Sequence, residues 1–160
     1  MTTRTPRKTA SPLADPKPGA LVQIDAIDEA IVAFHVAFRN VVDGADEKLA
    51  EQGMGRTHHK ILFHTARHPC CPVSEVRDFI GVSRQALQRP LNDLHRAGLV
   101  QTLVSPENRR IHQLVLTPAG LALEQQITAL VRVHFQAAFK AVGASSRAQW
   151  LAVMQALGTV

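Results

Sequence analysis

Arg84, Gln85, Gln88 and Arg89 crowd into the short run SRQALQR. A guanidinium presents two parallel donors that match O6 and N7 of guanine, and a carboxamide both donates to and accepts from the adenine edge. Spaced i, i+1, i+4 and i+5, the four side chains share one side of a helix. Leu87, Leu91 and Leu94 recur at helical spacing on the other side, so the run has a buried back and a polar front rich in base-reading groups. Further on, Arg109 and Arg110 close the stretch SPENRR, where cations on an exposed turn suit phosphate or a narrow groove.

These side chains need a scaffold, and the flanking residues describe one. Ile80-Gly81-Val82-Ser83 joins a short helical pattern, Val73 to Ile80, to the reading run: glycine permits the tight turn and the Ser83 hydroxyl can cap the second helix or donate to a phosphate. That is the outline of a helix-turn-helix. Ala97-Gly98 ends the second helix. Two β-like runs follow, Leu99 to Val104 and Ile111 to Leu116, separated by SPENRR, which makes a wing. Pro90 interrupts the reading helix, deletes the bond to the Ala86 carbonyl and predicts a kink or a break there, at a cost of about 3 kcal/mol.

The winged helix-turn-helix, residues 56–116, sits between long helical patterns. Residues 21–52 carry Ile24, Ile27, Ile31, Phe34, Phe38 and Val41 in an i, i+3, i+4 rhythm, with Gly44 expected to bend or break the helix before Asp46 to Gln52. Gly53-Met54-Gly55 lacks the third glycine of a phosphate-cradling loop and reads as a helix terminator. Arg56 to Arg67 is a further helix, followed by a loop, His68 to Pro72, stiffened by two prolines. Phe79 joins Val76 and Ile80 in the packing behind the reader. Residues 118–158 hold a long helix from Pro118 to Val142, then a last one capped by Ser145 or Ser146 and carrying Trp150, Leu151, Met154 and Leu157. The fold class is mainly α with a small β-wing. Residues 1–20, with four prolines and little to bury, read as a disordered basic tail whose cations are Arg4, Arg7, Lys8 and Lys17.

Composition supports a nucleic-acid partner. The net charge of +5 is uneven: residues 54–113 hold nine basic side chains against four acidic ones, whereas residues 21–53 hold two against seven. Positive charge gathers around the reading helix, where it favours phosphate. At 160 residues the chain is one domain by length, without room for a separate catalytic module. It has no apolar run of the roughly 18 residues a membrane helix needs and no apolar signal region, so a cytoplasmic location is expected.

The order VSEVRDFIGVSRQALQRPLNDLHRAGLV, SPENRR before IHQLVLT, and TPAGLALE resembles the MarR (multiple antibiotic resistance regulator) family of transcription factors over most of the chain, from Leu21 to Leu157. The resemblance implies a homodimer whose N- and C-terminal helices interleave, reading an inverted repeat in double-stranded DNA and more often repressing than activating. It carries over DNA contact to Ser83, Arg84, Gln85, Gln88 and Arg89, and to Arg109 and Arg110 in the wing, one reaching the minor groove or its phosphates and the other free for an internal ion pair. It also implies a small-molecule effector pocket between the dimerisation helices and the winged lobe, near His35, Phe38, His58, His59 and Phe63. Ser105 and Asn108 depart from the family pattern, standing where aspartates often orient the wing arginines.

Other chemistries find thinner support. Nothing in the sequence requires a cofactor. Adjacent Cys70 and Cys71 make no CxxC motif and cannot bridge each other without strain; Arg67 and His68 beside them could lower a thiol pKa, the basis of an oxidant-sensing alternative. His58, His59, His64 and His68, with those cysteines, suggest a zinc alternative without a tight ligand signature. No nucleophile elbow, Walker sequence, dinucleotide fingerprint or HExxH motif is present, so an enzyme is not expected. A winged helix serving only protein contacts is the remaining rival.

Overall fold

The computed structural model describes residues 24–143 and 145–159, and the N-terminal tail predicted above lies outside them. Six helices and three short strands run in the order α1 (Ala26–Ala50), α2 (Arg56–Arg67), β1 (Cys71–Pro72), α3 (Val73–Ile80), α4 (Arg84–Arg96), β2 (Val100–Val104), β3 (His112–Leu116), α5 (Pro118–Val142) and α6 (Ser146–Leu157). Among these residues no helix is long and apolar enough to cross a membrane.

Asp25 opens α1 with a capping box: its side chain accepts from the Ile27 and Asp28 amides, and Asp28 reaches back to the cap amide. Contrary to the break expected at Gly44, α1 continues unbroken to Ala50. A glycine inside a helix costs only about 1 kcal/mol, and the turn after Gly44 is held by Ala45 and Leu49, both buried in the core. Gly53 then ends the turn after α1 in the left-handed region at φ 67°.

The core gathers Leu49 of α1, Ile61 and Leu62 of α2, Val76 of α3, Leu87, Leu91 and Leu94 of α4, Val100 and Leu114 of the sheet, and Leu123 and Ile127 of α5. Ile61, Leu62, Val76, Leu87, Leu91 and Leu94 are helical positions read from the sequence, whereas Leu49, Leu123 and Ile127 lie outside the apolar rows expected there. Phe79 departs from the packing expected of it: it is half exposed, stacked on the His64 ring at 4.5 Å, while Val76 is fully buried.

The sheet has the order β1-β3-β2, antiparallel throughout. β2 and β3 form the predicted hairpin, with Val100 opposite Leu116 and Val104 opposite His112. The loop expected before α3 also supplies β1, which pairs Cys71 with Leu114. Thr117 anchors α5: its hydroxyl donates to the Gly98 carbonyl at 2.7 Å and accepts from the Gly120 amide at 3.0 Å. Pro118 takes the first helical position, where its missing N–H costs nothing.

Candidate nucleic-acid interface

Local geometry presents the reading helix as its residues predict. Gly81 ends α3 in the left-handed conformation at φ 74°, and the Ser83 hydroxyl accepts from the Ala86 amide at 3.1 Å. The cap fixes the first turn of α4, so Arg84, Gln85, Gln88 and Arg89 all point away from the buried Leu87 and Leu91 and are exposed. Gln88 holds Asn92 through a 3.0 Å bond along that face. α4 runs continuously from Arg84 to Arg96 through Pro90, not broken at the proline.

The wing carries Arg109 and Arg110 at its turn, both exposed. Asn108 organises that turn through the backbone: its side-chain oxygen accepts from the Arg110 amide at 3.0 Å, while its carbonyl accepts from the Ile111 amide at 2.9 Å. Ser105 is buried at the base, its amide bonded to the Ile111 carbonyl. The internal ion pair expected for one wing arginine does not form among the described residues, nor do Arg84 and Arg89 have carboxylate partners there. With Ser105 and Asn108 in place of acids, no carboxylate near the turn binds either guanidinium.

Between α4 and the wing lies a groove of about 610 Å³, into which Arg84, Gln88 and Arg110 turn. The sequence did not point to its other walls, Asn92, His95, Thr102 and His112, because only the tertiary fold lays the hairpin beside α4. His95 Nε2 and the Thr102 hydroxyl lie 3.0 Å apart and tie the end of the helix to β2.

The reading head, the wing and the long flanking helices match known proteins in sequence and in shape. A MarR family model matches residues 52–111. The HTH-type transcriptional regulator PetP of Rhodobacter capsulatus is 30% identical over 133 residues, covering 83% of this chain and 80% of that one. The chain belongs to the MarR family. It is a DNA-binding transcriptional regulator and not an enzyme. Among solved structures, the transcriptional repressor CouR bound to a 23-mer DNA duplex superposes with a TM-score of 0.66 at 21% identity, over 87% of this chain and 99% of that one. NadR in complex with 4-hydroxyphenylacetate gives 0.70 at 18% identity, over 89% and 99%.

Within this MarR fold the expected effector residues divide among three surroundings. His35 and Phe38 are exposed on α1, where Phe34 and Phe38 stack at 6.2 Å and the Arg56 guanidinium sits 5.2 Å from the Phe38 ring. His58 faces α4: Nδ1 accepts from the Gly55 amide at 3.0 Å, and Nε2 lies 3.5 Å from Asp93 without hydrogen-bond geometry. His59 and Phe63 face α5, their rings 5.9 Å apart. Burial pushes the His59 imidazole below the usual histidine range, Arg67 adding to this while Glu124 and Asp46 oppose it. Its Nε2 is buried with no hydrogen-bond partner. Beside it the buried Glu124 carboxylate accepts from Arg67 at 2.8 Å and from Thr128 at 2.6 Å, and Arg67 lies 3.4 Å from the centre of the Phe63 ring.

The two cysteines also part. Cys71 is buried in β1, and burial raises its thiol pKa above the ordinary value, the opposite of the effect Arg67 and His68 suggested. Cys70 is exposed on a left-handed residue at φ 61°. His64 bonds Glu75 at 2.9 Å and stacks on His68 at 4.5 Å, whereas His58 and His59 point elsewhere; among the described residues no three such side chains converge as a metal site.

Proposed function

We propose that this chain is a homodimeric, ligand-responsive repressor that binds an inverted-repeat operator in the cytoplasm. The observation that carries the reading is the front of α4: Arg84, Gln85, Gln88 and Arg89 are exposed together, and neither arginine is neutralised by a carboxylate among the described residues. Uncommitted guanidiniums on a capped, rigid helix are suited to guanine edges and phosphates. Arg109 and Arg110 extend the same charge to the neighbouring groove, and Ser83 donates to a phosphate from the helix start. The DNA-bound CouR structure supports such docking for this fold.

Dimerisation follows from uncovered apolar surface. Ile27 is 68% exposed and Phe34 51%, and Ile31, Phe38, Val142, Trp150 and Leu157 of the terminal helices are also exposed. A second copy buries these rows, and a two-fold axis sets two reading heads on half-sites about one helical turn, ~34–36 Å, apart. An effector that favours a differently spaced dimer lowers DNA affinity by its differential binding. The ligand-bound NadR structure supports a small aromatic acid as the effector class. His59 and Phe63, between α2 and α5, are the residues we assign to that effector, whereas His35 and Phe38 on α1 and His58 toward α4 have other surroundings.

Selection from a random duplex pool, followed by affinity across a salt series, tests the reading. Enrichment of a two-fold symmetric site is expected, with log Kd against log salt rising steeply. Arg84→Ala removes a phosphate or base contact and lowers affinity by about 1–3 kcal/mol. No enrichment together with salt-independent affinity overturns DNA binding by this face.

A further inference from the structure

In duplex DNA one sugar–phosphate strand separates the major groove from the minor groove. A protein that puts a helix into one and a hairpin tip into the next must straddle that strand. In this molecule the straddled space is the groove between α4 and the wing, where cationic and polar side chains stand around an apolar lining of Pro72, Val73, Leu87, Leu91 and Ile111. Arg77 enters from α3, Arg84 from α4 and Arg110 from the wing, and no carboxylate lines it. Two imidazoles complete it, His95 from α4 and His112 from β3. His112 is placed by strand register: side chains alternate along β3, so His112 shares the face of the buried Leu114, opposite Val104 as Leu114 is opposite Thr102. The sheet face that closes the core at its root therefore becomes the groove wall farther out.

We propose that this groove seats the backbone strand between the two DNA grooves, and that His95 and His112 make its hold on phosphate pH-dependent. The proposal rests on α4 and the wing entering adjacent grooves. The charged groups around the imidazoles on every side favour coupling to an anion. From α3 comes Arg77, paired with Asp78 at 2.6 Å; from the wing, Arg110; from α4, Arg84, and Asp93, which Arg96 holds at 3.1 Å. β2 adds only the neutral Thr102, whose hydroxyl lies 3.0 Å from His95 Nε2 and accepts from it when the ring is charged. A protonated imidazole beside a phosphodiester makes a charge-assisted contact that a neutral ring lacks. DNA binding therefore draws protons onto the pair, and affinity rises as pH falls through the histidine range.

The experiment measures affinity of the full chain for a duplex taken from the selected pool, at about pH 8 and about pH 6 and at constant ionic strength. The parent is expected to tighten about tenfold, equivalent to one pKa unit of coupling shared by the two rings. H95Q/H112Q is expected to lose most of the gain, read as the ratio of its own affinities at the two pH values. H112Q, on the exposed hairpin, is a second variant independent of the His95–Thr102 contact. Neutral methylphosphonates placed singly along the duplex test the seat with unaltered protein: the largest loss should fall on the strand between the bases protected by α4 and by the wing, and the pH gain should vanish there. A variant that binds and keeps the full pH gain, or loss confined to other phosphates, overturns the proposal. A parent that binds no duplex at either pH overturns instead the DNA-binding reading beneath it.

Discussion

A side chain that is absent lets α5 dock onto the reading head. A Cβ built on Gly120 would lie 1.9 Å from the Leu99 carbonyl oxygen and 2.8 Å from its carbon, both backbone atoms that cannot rotate aside. The same carbonyl accepts from the Thr117 amide at 3.0 Å, so withdrawing the helix to make room breaks the joint between the wing and α5. Gly120→Ala should therefore cost about 3 kcal/mol or more, at the upper end for overpacking. In thermal unfolding that is a fall in Tm of about 6–12 °C. A variant within about 1 kcal/mol of the parent would show that the helix start yields freely. The cap at Thr117 and the proline after it are local signals in TPAG. The need for glycine is not, because the obstructing atom belongs to a turn before the wing.

At the scale of elements, the proline in α4 follows the four residues proposed to contact DNA. Arg84, Gln85, Gln88 and Arg89 all precede Pro90, and their direction is set from the N-terminal side by the Gly81 turn and the Ser83 cap. The residues after it, Asn92 and His95, face the wing. Pro90→Ala restores the missing bond to the Ala86 carbonyl. It should raise stability by about 1–3 kcal/mol while changing affinity for the selected site by less than about tenfold. Denaturant unfolding and a binding isotherm on the same preparation check both halves. A larger loss of affinity would mean that Pro90 helps to aim the residues proposed to contact DNA. Much of this element was legible in advance, because caps, turn glycines and leucine rows act over one or two turns of chain. The continuity of α1 through Gly44 was not, since core packing of Ala45 and Leu49 outweighs a modest helix penalty. Nor was β1, a two-residue strand that exists only through its pairing with Leu114 and Gln113. The groove walls His95 and His112 were missed for the same reason: their proximity is set by how the hairpin folds back.

At the scale of the whole molecule, the single chain leaves its longest apolar rows exposed. The N-terminal half of α1 contributes no core residue, and α6 has none buried at all. Phe135, Phe139 and Trp150 pack together where α5 meets α6, but the faces beyond them stay open. The proposed dimer closes them, and Phe34 lies within the row on α1. Phe34→Glu puts a charge where the partner's apolar surface must lie, and burying it unpaired costs several kcal/mol. The variant should run as a monomer in light scattering. Its affinity for the two-fold site should fall by about 10²–10⁴, the advantage of tethering two heads. Loss of folding would lower affinity as well, so the deciding quantity is the salt slope. Phosphate contacts add along the site, and a single folded head should keep about half the parent slope on a half-site duplex. A folded, monomeric variant with the parent's affinity and slope on the two-fold site would show that each head binds alone, and the exposed rows of α1 and α6 would then have to serve some other contact.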